Sequence, residues 1–358
     1  MTYRRLLLFF AACLIAPAGC AKPSRPTAVV EPAPVSVIAS RPLLPPPDFR
    51  VMTWNLRLPS REDDAKNRGW EHRKGLLVQL IREQQPDILG VQELLEKKPS
   101  SPAEWLRTAL TSKGAPIQYL VVQGPPGHPE DIYLRADRFM VLFPSAATDE
   151  PGAVRFGGCP ESPGAADCPA RLTSGFYLPP DVRTPCDSPI TGTTEEGLRR
   201  SATFAIVRDR NTGRDFAVFN THLHHKHETA ADDLVRHEEV RCIRRAMARF
   251  AGGLPVIIMG DLNARSDAPE LMALRDGFDA GDAPLSFTHP EGPPLGTYNN
   301  FCDDCVPQAR IDHILVAGFD VVASGRPLYD RPDGRWPSDH CPVIVRLAPG
   351  DKPLPDIR

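Results

Sequence analysis

Seven short apolar runs, spread over most of the chain, constrain its fold more than any other feature. They are rich in Val, Ile and Phe, as buried β-strands are, and they lie at 49–54, 87–91, 202–207, 216–219, 255–259, 311–316 and 342–347. Helical patterns occupy 70–84 and 230–250. The second places four apolar residues on one side, namely Leu234, Val240, Ile243 and Met247. Strands and helices mix throughout, so the sequence indicates an α/β or α+β class without a boundary near its middle.

The composition is that of a folded globular protein. Of 358 residues, 41% are hydrophobic and 24% are charged, which excludes a wholly disordered chain and a multi-span membrane protein. The 42 basic and 45 acidic residues give a formal net charge of −3. No block of basic residues stands out, so charge alone does not imply a nucleic-acid partner.

The amino terminus has the order of a secretory signal. Arg4 and Arg5 precede an apolar run at 6–15, small residues follow at 16–19, and Cys20 comes next. Ala18-Gly19-Cys20 resembles a bacterial lipoprotein cleavage site, although Pro17 stands where that pattern prefers Leu. We therefore expect 1–19 to be removed and Cys20 to be lipidated, which predicts a protein of the cell envelope that is anchored to a membrane. The alternative is cleavage without lipidation, which predicts a secreted protein.

The remaining chain divides by composition. Residues 20–47 are rich in Pro, Ala, Ser and Val and predict a tether. Residues 48–348 form the predicted domain. Within it, 144–171 are rich in Gly, Pro, Ala and Ser and predict a surface-loop insertion, and 349–358 form a C-terminal tail.

Polar residues stand at the ends of the predicted strands. They are Asn55, Gln92-Glu93, Asn220-Thr221-His222, Gly260-Asp261-Leu262-Asn263, Asp312-His313 and Ser338-Asp339-His340. Taken singly, such a residue is more often a cap, a turn or a packing residue. Gathered on one edge, they would form a cleft of carboxylates, amides and imidazoles. Hard oxygen ligands such as Glu93 suit Mg²⁺, Mn²⁺ or Ca²⁺, and the combination is typical of metal-assisted phosphate-ester hydrolysis.

Six ordered stretches resemble the endonuclease/exonuclease/phosphatase superfamily, which includes DNase I-like and exonuclease III-like enzymes. They are 53–57, 86–93, 220–223, 260–263, 310–314 and 338–343, and 296–298 resembles a further element. The resemblance covers about 48–348. It implies a DNase I-like α+β fold in which two mixed β-sheets pack face to face with helices outside.

The resemblance also implies metal ligands. Glu93 would be the main ligand of a divalent cation, with Asn55 beside it. Asp339 would support these ligands or bind a second ion. Mg²⁺ is the expected cofactor, and Mn²⁺ and Ca²⁺ are the alternatives.

Five further residues would carry the reaction. Asp261 would orient or deprotonate the attacking water or serve the leaving group, and Asn263 would position the nucleophile or the phosphate. His222 would donate to a phosphate oxygen. His340, oriented by Asp312, would contact the phosphate or act as the base.

Two positions depart from the family pattern. Leu134 stands where many members carry Tyr, and Tyr133 is one residue away, so an aromatic hydroxyl contact to phosphate is not expected from this strand. Arg57 stands where abasic-site nucleases of the superfamily carry Asp. This change argues against abasic-site repair.

Two clusters allow more than one interpretation. The histidines at 222, 224, 225 and 227 indicate either a zinc site or one catalytic histidine with three solvated ones, and the second is favoured. The arginines at 171, 183, 199 and 200 would grip a polyanion, or they are solvated or paired with nearby acids.

Seven cysteines remain after those at 13 and 20 are set aside, and export permits disulfides. Cys302 and Cys305 are expected to bridge, although metal binding or pairing elsewhere are alternatives. Cys159 with Cys168 is a second expected bridge. Cys242 and Cys341 are expected to be buried thiols outside any disulfide.

These observations favour a monomeric, exported, divalent-metal-dependent phosphoesterase. Its partner would be a phosphate-ester substrate, which is a nucleic acid, a phospholipid headgroup or a small phosphoester. An extracellular nuclease and a sphingomyelinase-like phosphodiesterase are narrower alternatives. A catalytically inactive binding protein on the same fold is the alternative from another class.

Overall fold

The described part of a computed structural model of the protein contains fourteen strands and five helices, with the helices placed between groups of strands. The described residues are 48–94, 101–112, 115–125, 130–143, 171–179, 181, 200–276, 286–287, 296–302, 307, 309–325 and 335–350. The strands are β1 Phe49–Asn55, β2 Ile88–Gln92, β3 Tyr119–Gln123, β4 Ile132–Arg135, β5 Phe139–Phe143, β6 Arg171–Thr173, β7 Phe176–Tyr177, β8 Ser201–Asp209, β9 Asp215–His222, β10 Val256–Asp261, β11 Ser286–Phe287, β12 Asp312–Ala317, β13 Phe319–Gly325 and β14 Val343–Pro349. The helices are α1 Arg61–Ala65, α2 Trp70–Gln84, α3 Pro102–Thr111, α4 Ala230–Phe250 and α5 Pro269–Asp276.

The strands form two mixed sheets. The first has the order β13-β14-β1-β2-β4-β3-β6, in which β1 pairs with β2 in parallel and with β14 antiparallel. The second has the order β11-β12-β10-β9-β8-β5, and β7 also pairs with β8. At its centre β10 pairs with β9 in parallel and with β12 antiparallel. Each sheet therefore has a central pair of parallel strands whose carboxyl ends lie side by side.

Apolar side chains form three core clusters, one between the two sheets and one on the outer face of each sheet. Phe49 and Val345 of the first sheet pack with Phe216 and Ile257 of the second, so the two sheets face each other. The outer face of the first sheet packs on α2 and α3, and that of the second packs on α4 and α5. The predicted class is confirmed, because the molecule is a four-layer sandwich of two mixed sheets with helices outside.

Local sequence explains where α4 begins. Thr229 caps the helix in a reciprocal arrangement with Asp232, which satisfies backbone N–H groups of the first turn. Val240, Ile243 and Met247 are buried as the apolar pattern predicts. The prediction for Leu234 is wrong, since 56% of this residue is exposed. The first turn of α4 lies outside the core, and Arg236 is the first fully buried residue of the helix.

Two of the three described cysteines, Cys242 and Cys302, are disulfide-bonded. Cys242 is buried in α4, but it is part of a disulfide, so its prediction as a thiol is wrong. Burial excludes solvent from a cysteine sulfur, but a buried sulfur can still form a disulfide with another cysteine. Cys302 also belongs to a disulfide, whereas Cys341 is a buried thiol. The cysteines at 159, 168, 186 and 305 lie outside the described residues.

Several predicted segments also lie outside the described residues, namely the signal and tether at 1–47, residues 144–170 of the insertion and the tail from 351. All described residues belong to one compact unit that spans 44–358. Of the helices that the structure describes, none is long and apolar enough to cross a membrane.

Candidate active site

The carboxyl ends of the two parallel strand pairs meet across the sandwich. Asn55 ends β1 and Glu93 follows β2 in the first sheet, while His222 ends β9 and Asp261 ends β10 in the second. Asn55 Nδ2 donates to Asp261 Oδ2 at 2.9 Å and to Glu93 Oε1 at 3.1 Å. One side chain thus joins the two sheets, and the site contains residues from both.

Two residues leave their strands in an unusual backbone conformation. Glu93 has φ +62° and Arg57 has φ +60°, values that are uncommon for residues with a Cβ. The turn at Glu93 lets its carboxylate accept hydrogen bonds from Asn55 Nδ2 and from the Leu58 backbone N–H at 2.9 Å. Burial alone would raise the pKa of Glu93, but these two hydrogen bonds hold that pKa below its usual value. The strained backbone therefore presents an ionised carboxylate to the cleft.

Asp261 lies at the centre of the cluster and is 1% exposed. Its Oδ1 accepts the Asn263 backbone N–H at 3.0 Å, and its Oδ2 lies 3.4 Å from His222 Nε2 and 3.7 Å from His340 Nε2. Burial, followed by the neighbouring charge of Asp312, raises the pKa of Asp261 to about 7. A carboxyl group with this pKa exchanges a proton near neutral pH.

The chain reaches Asp261 through a position that only glycine can occupy. Gly260 has φ +151°, and a Cβ added there would lie 1.9 Å from the carbonyl oxygen of Thr221 on β9. The absence of a side chain lets β10 approach β9 where His222 and Asp261 are in register.

His340 is held from three directions. Its Nδ1 lies 2.8 Å from Asp312 Oδ2, its carbonyl accepts the indole N–H of Trp54, and its backbone N–H donates to Ser338 Oγ. Burial alone would lower the pKa of His340, but the charges of Asp312 and Asp261 raise that pKa well above its usual value. The raised pKa favours the imidazolium form, whose Nδ1–H donates to Asp312.

Asp339 faces the side of the site that holds Glu93. It lies 3.4 Å from Arg57 Nη1 and is 4% exposed. Its pKa is raised, first by burial and also by the charge of Glu93, although His340 and Arg57 oppose that rise. Two carboxylates thus repel each other in this part of the site.

Asn263 and His222 complete the set of residues that the sequence identified. Asn263 is left-handed at φ +46°, and its Nδ2 donates to the Leu223 carbonyl at 2.9 Å. His222 is 2% exposed and contacts Arg200 as well as Asp261. The structure therefore brings together all eight predicted residues, namely Asn55, Glu93, His222, Asp261, Asn263, Asp312, Asp339 and His340.

Acidic and imidazole ligands converge once within the described ranges. One ligand atom each of Asp261, Asp312 and His340 lies within 4.8 Å of the others. The histidine segment forms no comparable group there, because His224 pairs with Asp232 at 3.1 Å and His225 contacts Arg200.

Three residues at the site were not among the predicted ones. The ring centre of Tyr298 lies 5.0 Å from that of His340, and Tyr298 is 37% exposed. In the sequence, Tyr298 was indicated only by the resemblance of residues 296–298 to a further family element. Arg200 was predicted only as one of four arginines that bind a polyanion, are solvated or pair with acids, and its contact with His222 was not predicted. Arg73 gave no specific signal, since its acceptor Pro337 is distant in the sequence. Tyr133 is fully buried beneath α2 and α3, so it does not supply the aromatic hydroxyl.

Comparison with known proteins gives a consistent picture. The model of the endonuclease/exonuclease/phosphatase family matches residues 52–340. Nocturnin from Drosophila melanogaster is 26% identical over 233 residues, which are 62% of this chain and 30% of that protein. The present chain thus spans less than half of the length of that relative.

Solved structures share the fold. An endonuclease/exonuclease/phosphatase family protein from Bacteroides thetaiotaomicron has a TM-score of 0.63 and 24% identity, over 86% of this chain and 100% of that chain. A mannosyl-6-phosphatase from Bacteroides thetaiotaomicron VPI-5482 has a TM-score of 0.59 and 23% identity, over 84% of this chain and 99% of that chain. The family match, from residue 52 to residue 340, includes all eight of the predicted site residues.

Proposed function

Because the chain belongs to the endonuclease/exonuclease/phosphatase family, whose members hydrolyse phosphoester bonds, we propose that it is a divalent-metal-dependent phosphoesterase. The reaction is the in-line attack of water on phosphorus. The observation that carries the proposal is the position of Asp261. Its carboxylate contacts Asn55 of the opposite sheet and lies within 4 Å of two imidazoles in a buried cluster.

Asp261 is the residue that activates water. Its pKa of about 7 makes the carboxylate a stronger base than an exposed aspartate, while about half of it is still ionised at neutral pH. The Asn263 backbone N–H fixes the orientation of the carboxyl group. Asp261 therefore takes the proton that water loses as it attacks.

His340 and His222 bind the phosphoryl oxygens. The raised pKa of His340 keeps it protonated, so it donates a charged hydrogen bond and does not serve as the base. Asp312 orients its ring through the bond to Nδ1. His222 and Asn263 stand beside Asp261 and complete the donors on the second sheet.

The oxygen ligands at the ends of β1 and β2 and in the segment before β14 fit a hard divalent cation. Glu93 is ionised, Asp339 is close enough to repel it, and the carboxamide of Asn55 contacts Glu93. We propose that these three residues hold Mg²⁺, with Mn²⁺ or Ca²⁺ as alternatives, because such oxygens are the preferred ligands of these ions. When bound, the cation stabilises the charge that develops on the phosphoryl oxygens.

The substrate is a phosphoester whose class is decided by experiment. One structural relative is a mannosyl-6-phosphatase, which makes a small phosphate ester the first class to test. Nucleic acids and phospholipid headgroups are the others. We propose that the enzyme acts outside the cytoplasm, anchored through Cys20, because the sequence at 1–20 has the order of a lipoprotein signal. We also propose that it acts as a monomer.

The test is a panel of plasmid DNA, single-stranded DNA, RNA, sphingomyelin, sugar phosphates, inositol phosphates and p-nitrophenyl esters, assayed with each of the three cations. We expect hydrolysis of at least one substrate, loss of activity in EDTA and recovery with added Mg²⁺. Asp261→Asn should reduce turnover by about two to four orders of magnitude while circular dichroism stays unchanged.

Asp215→Asn is the matched control. Asp215 begins the same strand that His222 ends, and its ion pair with Arg208 lies on the surface. This variant should retain full activity. Undiminished turnover by the Asp261 variant would refute the role of Asp261 as the base. No activity on any substrate with any of the cations would leave the inactive binding protein as the better interpretation.

A further inference from the structure

The guanidinium group of Arg200 lies directly behind the phosphate-binding side of the site. Its Nη1 is 2.8 Å from His222 Nδ1, and its Nη2 is 2.9 Å from His225 Nδ1. The carbonyl of Arg200 accepts the backbone N–H of Leu178, which follows β7, so the arginine backbone is tied to the second sheet. One cation thus bridges two histidines of the segment that follows β9.

The chemistry of arginine determines the protonation of the ring that it contacts. A guanidinium has N–H donors and no acceptor, so Nδ1 of His222 must accept and therefore carries no proton. The ring is then neutral, with its proton on Nε2. A separate contact favours the same tautomer, because His222 Nε2 lies 3.4 Å from Asp261 Oδ2, which accepts a hydrogen bond when the carboxyl group is ionised.

His340 has the opposite arrangement. Its Nδ1 faces a carboxylate, Asp312, at 2.8 Å, so this nitrogen carries a proton. The two histidines that flank Asp261 are thus backed by groups of opposite charge. A carboxylate stabilises an imidazolium, whereas a guanidinium disfavours it and polarises a neutral N–H.

We propose that Arg200 is a positioning residue that holds His222 as a neutral imidazole whose Nε2–H is a permanent hydrogen-bond donor. The donor faces the place where the phosphoryl oxygen of the substrate binds. That last point depends on the proposed function, whereas the tautomer of His222 does not. His222 thus stabilises the transition state without gaining or losing a proton.

The tautomer is measured on metal-free protein with ¹⁵N-labelled histidine, by long-range ¹H–¹⁵N correlation spectra at pH 7. We expect the wild-type spectrum to show His222 with its proton on Nε2. Arg200→Met, which has no donor, should give a mixture of tautomers, and Arg200→Lys should restore part of the wild-type pattern. Detection of the Nδ1–H tautomer in the wild type would overturn the proposal without any variant.

Kinetics on the best substrate of the panel provide the second measurement. Arg200→Met should lower kcat by about 10- to 100-fold with less than about threefold change in KM, because His222 donates more strongly as charge develops on the oxygen. A rise in KM alone would mean that Arg200 binds substrate directly, which contradicts a role through His222. Arg200→Lys should recover part of the lost kcat.

Arg208→Met is the matched control. Arg208 lies on β8, the strand that follows Arg200, and its partner Asp215 is a surface residue. It should change neither the spectrum nor the kinetics. If no phosphoester is hydrolysed but the tautomer depends on Arg200 as expected, the proposed function fails and the assignment of the His222 tautomer stands. An unchanged tautomer in Arg200→Met would overturn that assignment.

Discussion

Arg73 connects the stability of the fold to the geometry of the site. It lies on α2, is 2% exposed, and donates to four backbone carbonyls. The acceptors are Arg68 at 2.6 Å, Leu56 and Pro337 at 2.8 Å each, and Arg57 at 3.0 Å. Leu56 and Arg57 follow Asn55, and Pro337 precedes the segment that holds His340. A single guanidinium therefore ties together two segments that carry site residues.

The magnitude follows from these bonds. The bonds to Leu56 and Pro337 are buried, and a buried carbonyl left without a partner costs about 1–3 kcal/mol. Arg73→Ala should therefore lower the free energy of unfolding by about 3–5 kcal/mol. Arg73→Lys places a point charge where a planar fork is needed, so it should cost about 1.5–3 kcal/mol. Burial lowers the pKa of Arg73 to about 10, so the side chain remains charged at neutral pH.

Urea unfolding at pH 7, followed by tryptophan fluorescence with the disulfides intact, measures these changes. The control is Arg346→Ala, because the pair of Arg346 with Asp48 is half exposed and contributes less than about 1 kcal/mol. Under native conditions Arg73→Ala should also have a lower kcat, since the segments of Asn55 and His340 lose their common tie. A midpoint equal to that of the control variant would refute the reasoning.

Two further predictions concern charge and anchoring. Asp312→Asn keeps the shape of the side chain but removes the charge that, against burial, raises the pKa of His340, so that pKa should fall and kcat should decrease by about 10²–10⁴-fold. The raised pKa stabilises the folded state fully below the unfolded value of about 6.5, and this contribution is lost as pH rises through the folded pKa. The Asp312→Asn variant should therefore differ most from wild type in stability below about pH 6.5. An NMR titration of His340 in metal-free protein that is the same in wild type and variant would contradict the predicted fall in its pKa. Cys20→Ala should abolish palmitate incorporation and move the protein from the membrane fraction to the soluble fraction, and continued labelling would show that Cys20 is not the lipidated residue.

The central part of the fold could be predicted because its signals are local. The observed strands β1, β2, β8, β9, β10, β12 and β14 match the seven apolar runs, four of them beginning one residue later than predicted, and α2 and α4 have the predicted bounds. Strands at the sheet edges gave weaker signals. On β13, Val321 and Val322 are each 40% exposed, so no continuous buried run marks that strand.

The site residues also divide into those that the local sequence identifies and those that it does not. Glu93, Asp261 and the other residues at strand ends were found because their position in the sequence reports their position at the edge of a sheet. Arg73 and Arg200 were not assigned these contacts, since an arginine on a helix or before a strand has many alternative partners. Arg73 and Pro337 are 264 positions apart, and only the folded backbone brings them together. The disulfide of Cys242 was not predicted either, because the apolar pattern of α4 indicated burial alone.

The hydrogen bonds from Asn55 to Glu93 and Asp261 have a consequence for how the protein becomes active. Each sheet could form its own strands and still carry only half of the chemistry. Recovery of turnover during refolding would then follow the docking of the two sheets, later than the gain of secondary structure that circular dichroism records. Turnover during refolding therefore measures the fraction of molecules in which both sheets have docked, because an intermediate with one finished sheet has no complete active site.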